Sequence, residues 1–157
     1  MIFPKEIDNT LDMVNPLIIE PSLLVGGQPS ESDFHYLKGL GVQKVINLRP
    51  TTEIIEFDQC ELMQALNIDY HLIVIADGDD LTKEAAQKLV QILRSNGDTC
   101  LFHCASGNRV GALLALKAYW FDGFNAEQAI QFGLDSGMTK LIPIVRKILA
   151  LEVKVTD

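Results

Sequence analysis

The chain is short of positive charge. Lys and Arg number 13 against 21 Asp and Glu, a net charge of -8. In bulk it repels nucleic acid and anionic lipid, so neither is expected as a partner and any phosphate site has to be built locally. Cysteine is scarce and odd in number: Cys60, Cys100 and Cys104, with no Cys-x-x-Cys pair and no metal-type spacing to histidine. That excludes a disulfide framework or a structural metal as the reason for folding, and it fits reduced thiols in a cytoplasmic protein. A periplasmic location would require a leader already removed ahead of Met1. The opening segment MIFPKEIDNTLD lacks a cationic start and a long apolar stretch. No apolar run approaches the ~18 residues of a membrane span, so no membrane partner is expected. Repeats, low-complexity tracts and linkers are lacking as well. At 157 residues the chain reads as one domain, residues 1–157, able to bury roughly 70% of its unfolded surface in one core.

What is present is an alternation of strand-like and helix-like segments. LIIEPSLLVGGQP reads as one or two short strands ending at a Gly-Gly turn. PSESDFHYLKGLG reads as a helix with Ser30 as N-cap, Asp33 three residues on and Gly41 past the end. VQKVINL is rich in strand formers, TTEIIEFDQCELMQALN shows helical spacing through Ile54, Phe57, Leu62 and Leu66, and YHLIVI reads as a buried strand. Thr82 caps a helix striped by Ala85, Ala86, Leu89, Ile92 and Leu93. TCLFHC is a strand, Val110 to Phe121 is apolar on nearly every face, and NAEQAIQFGL and TKLIPIVRKILALEV supply two last helices. Strands alternating with helices predict a three-layer α/β domain with a central, largely parallel sheet flanked by helices.

In such sheets ligands sit beyond the carboxyl ends of the strands, and that is where FHCASGNRVGALLAL places Cys104. A turn leading straight into a helix aims unpaired backbone N–H groups and the positive end of the helix dipole at one point, which makes an anion site. The same field favours thiolate over thiol and so activates the cysteine as a nucleophile. Gly107 lets the backbone turn tightly, and Arg109 offers a fork of donors matched to two oxygens of a phosphate or sulfate ion. Backbone N–H groups of Ala105, Ser106, Gly107, Asn108, Arg109 and Val110 complete the cradle. Cys60, in an amphipathic stretch, and Cys100, inside an apolar strand, read as packing residues. His35 and His71 lack any partner pattern. Neither a cofactor nor a metal is called for.

At these residues the sequence resembles the cysteine-dependent phosphatases of the dual-specificity and tyrosine-phosphatase superfamily, whose signature is His-Cys, five residues, then Arg. LLVGGQPS, VINLRPTTE and YHLIVIAD occur in the order seen in a bacterial branch with a dual-specificity-phosphatase-like fold, so the resemblance spans about residues 20 to 120. It implies a phosphate-monoester hydrolase with Cys104 as nucleophile, Arg109 holding the phosphoryl oxygens and His103 supporting the loop. The substrate it implies is a phosphorylated small molecule or a phosphoprotein. The loop departs from the signature, because four residues separate Cys104 from Arg109 and Val110 stands where the Arg is usual. A four-residue spacing is used by rhodanese-type sulfurtransferases, which would carry a persulfide on Cys104. A non-catalytic oxyanion-binding module is the third reading.

A phosphatase also needs a proton donor at the leaving oxygen. IADGDD holds three carboxylates. Asp79 and Asp80 precede the helix at Thr82 and have a structural use at its N-terminus. Asp77, directly after the strand, has none evident and is the expected acid. Gln28 and Arg49 also end strand-like segments and could line the same crevice, Arg49 equally well as half of a surface ion pair.

Overall fold

The computed structural model describes residues 3–94 and 98–156, with 153–156 as helix backbone. In chain order the elements are β1 (Leu17–Glu20), β2 (Leu23–Gly26), α1 (Glu31–Leu40), β3 (Lys44–Asn47), α2 (Gln59–Ala65), β4 (Asp69–Leu72), α3 (Lys83–Leu93), β5 (Cys100–His103), α4 (Asn108–Phe121), α5 (Ala126–Asp135) and α6 (Ile142–Thr156). Short 3-10 turns lie at Ile7–Asn9 and Gly78–Asp80. The five strands form one mixed, mostly parallel sheet in the order β1-β2-β5-β3-β4, with only β1 and β2 antiparallel. The predicted α/β class holds.

Position in this sheet decides what each strand can carry. β5 is central, parallel to β2 on one side and β3 on the other, and all four of its residues are buried. Successive side chains point to opposite faces. Cys100, Phe102 and Cys104 therefore join the core under α3 to α6, with Leu89, Leu113 and Val145. Leu101 joins the other core with Phe34, Leu37 and Met63. His103 follows Leu101 to that face and meets the ring of Phe34 edge-on, centroids 6.1 Å apart.

The helices start where their caps dictate. Ser30 and Asp33 form the expected capping box, and Gly41 closes α1 at φ +106°. Thr82 accepts the Ala85 N–H, and Asn125 and Gln128 make a second capping box. α4 packs so close to the end of α5 that a Cβ on Gly111 would overlap the Met138 nitrogen and the Gly133 carbonyl.

Three expectations need correction. The helix expected from Thr51 begins only at Gln59, because Asp58 accepts the Glu61 N–H and sets the start there. Residues 51–58 form turns, and Ile54 is 89% exposed. The buried strand expected at YHLIVI is the sheet-edge strand β4, with its own residues exposed or half-buried. Burial begins past its end, at Ile73 and Ile75, whose N–H groups bond the Asn47 and Leu48 carbonyls. Cys60 is exposed rather than packed, since the short α2 turns it outward; Cys100 is buried as expected. Among the described residues, no helix is long and apolar enough to cross a membrane.

Candidate functional site

Cys104 follows the last residue of β5 and has no exposed surface. Its N–H reaches the Gly26 carbonyl at 3.2 Å, so the strand pairing extends one residue past β5. The chain then turns over the end of β2. Ala105 accepts the Gln28 N–H at 3.0 Å, and Ser106 bridges Gly27. A Cβ on Gly27 would sit 2.6 Å from the Ala105 oxygen, so the loop's approach requires glycine there. Gly107 takes φ +97°, and its N–H points back to the Cys104 Sγ at 3.1 Å. Gly107 is also the N-cap residue of the 14-residue α4, whose first intrahelical bond is Gly111 N–H to Gly107 O. The N–H groups of Asn108, Arg109 and Val110 are therefore the unpaired first turn.

The three side chains of that turn differ in what they do. Asn108 Oδ1 accepts the N–H groups of Thr139 (2.8 Å) and Leu141 (3.1 Å), tying the loop to the segment ahead of α6. Val110 is fully buried, so at the position where the five-residue signature would place Arg it contributes only backbone.

Arg109 is held by a residue the sequence reading missed. Its Nη1 and Nη2 donate to the two oxygens of Glu53 at 2.7 and 2.9 Å, and Nη1 also donates to the Ile75 carbonyl at 2.8 Å. A guanidinium has five N–H bonds. The pair that these three bonds do not use is Nε–H and one Nη2–H, the side face of the fork, and the guanidinium also has the Cys104 side chain as a hydrogen-bond partner. Glu53 drives the Arg109 pKa upward, burial opposes, and the neighbouring Cys104 sulfur raises it again. Arg109 in turn holds Glu53 below the usual carboxylate range, with burial opposing and Arg49 adding to the effect. Arg49 donates to Glu53 at 3.0 Å and to Gln28 Oε1 at 2.9 Å, so it makes the ion pair and lines the crevice at once.

A second missed residue sits behind the loop. Gln59, the first residue of α2, is buried, and its Nε2 lies 2.7 Å from His103 Nε2. His103 Nδ1 lies 3.3 Å from the Cys104 carbonyl. Burial pushes the His103 pKa down to about 3, so the ring is neutral. Glu53 carried one local signal, its place four residues after Arg49; Gln59 carried none.

Asp77 does have a structural use, contrary to expectation: it is exposed, and its Oδ1 accepts the Asp79 N–H at 2.9 Å, capping the 3-10 turn. Asp80 accepts the Ala76 N–H at 2.8 Å. Asp77 stands two residues past Ile75, the residue whose carbonyl meets Arg109. His71, expected to have no partner, meets Asp69 at 2.9 Å. A cleft of about 660 Å³ is lined by Gln28, Arg49, Gln59 and Tyr70 as polar walls and by Ile54 and Leu72 as apolar ones, and by no residue of the 104–110 loop.

A five-stranded sheet of this order with a cysteine at the end of the central strand defines a class: the chain has the fold of the cysteine-dependent phosphatase superfamily. It is similar to a DUF442 protein of Shewanella putrefaciens CN-32 described as a candidate phosphatase, with 25% identity over 98% of each chain and a TM-score of 0.69. It is also similar to kinase-associated phosphatase, solved with its catalytic cysteine changed to serine, at 23% identity, 82% of this chain and 87% of that one, TM-score 0.61. A third likeness is to the catalytic core of the PP-IP phosphatase SIW14 from S. cerevisiae in complex with citrate, at 16% identity, 92% and 94% coverage, TM-score 0.57. No protein-family model matches the chain, and no curated protein matches it.

Proposed function

We propose that the protein is a cysteine-dependent phosphatase that hydrolyses phosphate monoesters, on a phosphorylated small molecule or a phosphoprotein, through a phosphocysteine. The observation that carries this reading is the Gly107 N–H donated to Cys104 Sγ at 3.1 Å, at the N-terminus of α4. A backbone donor and the positive end of a helix are aimed at the atom that would attack phosphorus. Arg109 supports it, because Glu53 occupies only the end face of the guanidinium and leaves a bidentate face for two equatorial oxygens.

In the first step the Cys104 thiolate attacks phosphorus, the bond to the leaving oxygen breaks, and Asp77 gives that oxygen its proton. The loop N–H groups of residues 105 to 110 and Arg109 stabilise the charge on the transferring group. In the second step Asp77, now a base, takes a proton from water as the water attacks phosphorus, releasing phosphate and restoring the thiolate. Neutral His103 stays out of proton transfer and supports the loop.

The four-residue spacing favours a second reading, sulfur transfer, and one experiment separates the two. The protein is incubated with an aryl phosphate and, separately, with thiosulfate, and the intact mass is followed alongside phosphate release. Phosphate release lost in Cys104→Ser, with no stable gain of one sulfur atom, is expected. A persulfide on Cys104 without phosphate release would replace the phosphatase reading with sulfur transfer. Sulfate or phosphate binding with neither reaction would leave an oxyanion-binding module.

A further inference from the structure

The side chains behind the loop form a chain of hydrogen bonds whose direction can be read from one end. Arg49 has no acceptor, so the Gln28 atom 2.9 Å from its Nη1 is the amide oxygen. The Gln28 nitrogen is then the atom that faces Gln59 at 2.9 Å, and it also donates to the Pro29 carbonyl at 3.0 Å. Its partner on Gln59 must accept, which makes that atom oxygen and turns the Gln59 nitrogen toward His103 Nε2, 2.7 Å away. A nitrogen that receives an N–H cannot carry one. His103 Nε2 is therefore bare, and the ring proton sits on Nδ1, 3.3 Å from the Cys104 carbonyl.

We propose that Gln59 is a positioning residue for Cys104: oriented by Arg49 through Gln28, its amide locks His103 as the Nδ1–H tautomer, whose donation to the Cys104 carbonyl fixes the turn that carries the sulfur. The geometry leaves little freedom. His103 and Gln59 are 0% and 6% exposed, so water is not at hand to replace a lost partner. Protonating the ring would set N–H against N–H at 2.7 Å, which agrees with the depression of its pKa to about 3, where burial dominates and Arg49 and Arg109 add to it. Gln28, Arg49 and Gln59 also line the 660 Å³ cleft, so the chain runs from the wall of that cleft to the backbone carbonyl of Cys104. Only the catalytic use of the turn rests on the phosphatase reading; the tautomer does not.

Long-range ¹⁵N–¹H NMR of the histidine rings tests it in the free protein, with His35→Gln and His71→Gln assigning the other two rings. Wild type is expected to show His103 with Nδ1 protonated and Nε2 bare, unchanged from pH 5 to pH 8. An Nε2–H tautomer, or a titration in that range, would overturn the proposal. Gln59→Glu, close in shape but able only to accept, is expected to place a proton on Nε2 and to move the ¹³C shift of the Cys104 carbonyl; an unchanged spectrum overturns it. In the phosphatase assay the same variant should lose kcat by about 10–100-fold, by analogy with the partners that orient a metal-bound histidine, with KM little changed. A proton moved to Nε2 with kcat intact would refute the positioning role. Absence of turnover in wild type would refute the phosphatase reading alone, and the spectra would still decide the tautomer.

Discussion

His103 and Cys104 are adjacent in sequence and opposite in environment. Alternation along β5 sends the imidazole toward Phe34 and Gln59, and the sulfur toward the first turn of α4. The three cysteines separate in the same way. Burial pushes the Cys100 thiol up to about 12, which leaves it inert, whereas Cys104 receives a backbone N–H on its sulfur. Asp77 is the residue whose role most needs a measurement. Asp77→Asn keeps an oxygen to accept the Asp79 N–H, so the turn should survive. Turnover of an alkyl phosphate at neutral pH is expected to fall by about 10²-fold or more, the scale of general acid catalysis. The loss should shrink for esters with good leaving groups, which need no proton. Full activity in Asp77→Asn together with a loss in Asp79→Asn would transfer the role to the neighbour.

At the scale of elements, the loop between β5 and α4 is held from two sides. Gly27 lets it lie against the end of β2, and Asn108 ties it to the segment ahead of α6. Asn108→Ala removes the acceptor of the Thr139 and Leu141 N–H groups, one bond exposed and one half-buried, and is expected to cost about 0.5–1.5 kcal/mol, the range for an ordinary hydrogen bond, read as a lower urea midpoint. Asn108→Asp keeps the acceptor oxygens but adds a negative charge to the first turn. Stability near that of wild type with weakened phosphate or sulfate binding is expected; tighter anion binding would contradict a loop whose field attracts anions. Element boundaries show the same interplay of local and distant forces. Asp58 starts α2 by a local cap, while residues 51–58 stay irregular because Glu53 is drawn to both Arg49 and Arg109.

For the whole molecule, the net charge of -8 coexists with a positive field built locally by the N-terminus of α4 and by Arg49 and Arg109, which share Glu53. The buried, neutral His103 links stability to pH. Its folded pKa of about 3 lies below the ordinary 6.5, so between those values the unfolded chain binds a proton that the native state does not. Stability is then fully present above pH 6.5 and is lost as pH falls from there, by at most about 1.4 kcal/mol per pH unit from this group. Glu53, whose pKa is lowered from 4.5, adds its loss only at more acidic pH. Urea midpoints measured from pH 7 to pH 5 should fall in wild type and flatten in His103→Asn; a flat wild-type profile would mean that the ring takes up its proton in the native state.

Much of this protein was legible locally. The capping pairs Ser30 with Asp33 and Asn125 with Gln128, the strand ending at Cys104, the left-handed Gly107 and the Cys104-to-Arg109 spacing all depend on contacts a few residues apart, which a linear pattern can display. The partners that complete the site were decided by the tertiary structure. Glu53 is 56 residues from Arg109, and Gln59 is 44 from His103. They meet because the order of strands sets β3 directly beside β5, so the segment leaving β3 passes over the loop that leaves β5. The same order leaves β4, with the sequence DYHL, half exposed at the sheet edge, while the apolar residues that read as a buried strand, Ile73 and Ile75, are buried just past its end. Short-range propensity records which backbone conformation a segment prefers; which other segment it faces is settled only when the sheet forms and distant side chains are desolvated together.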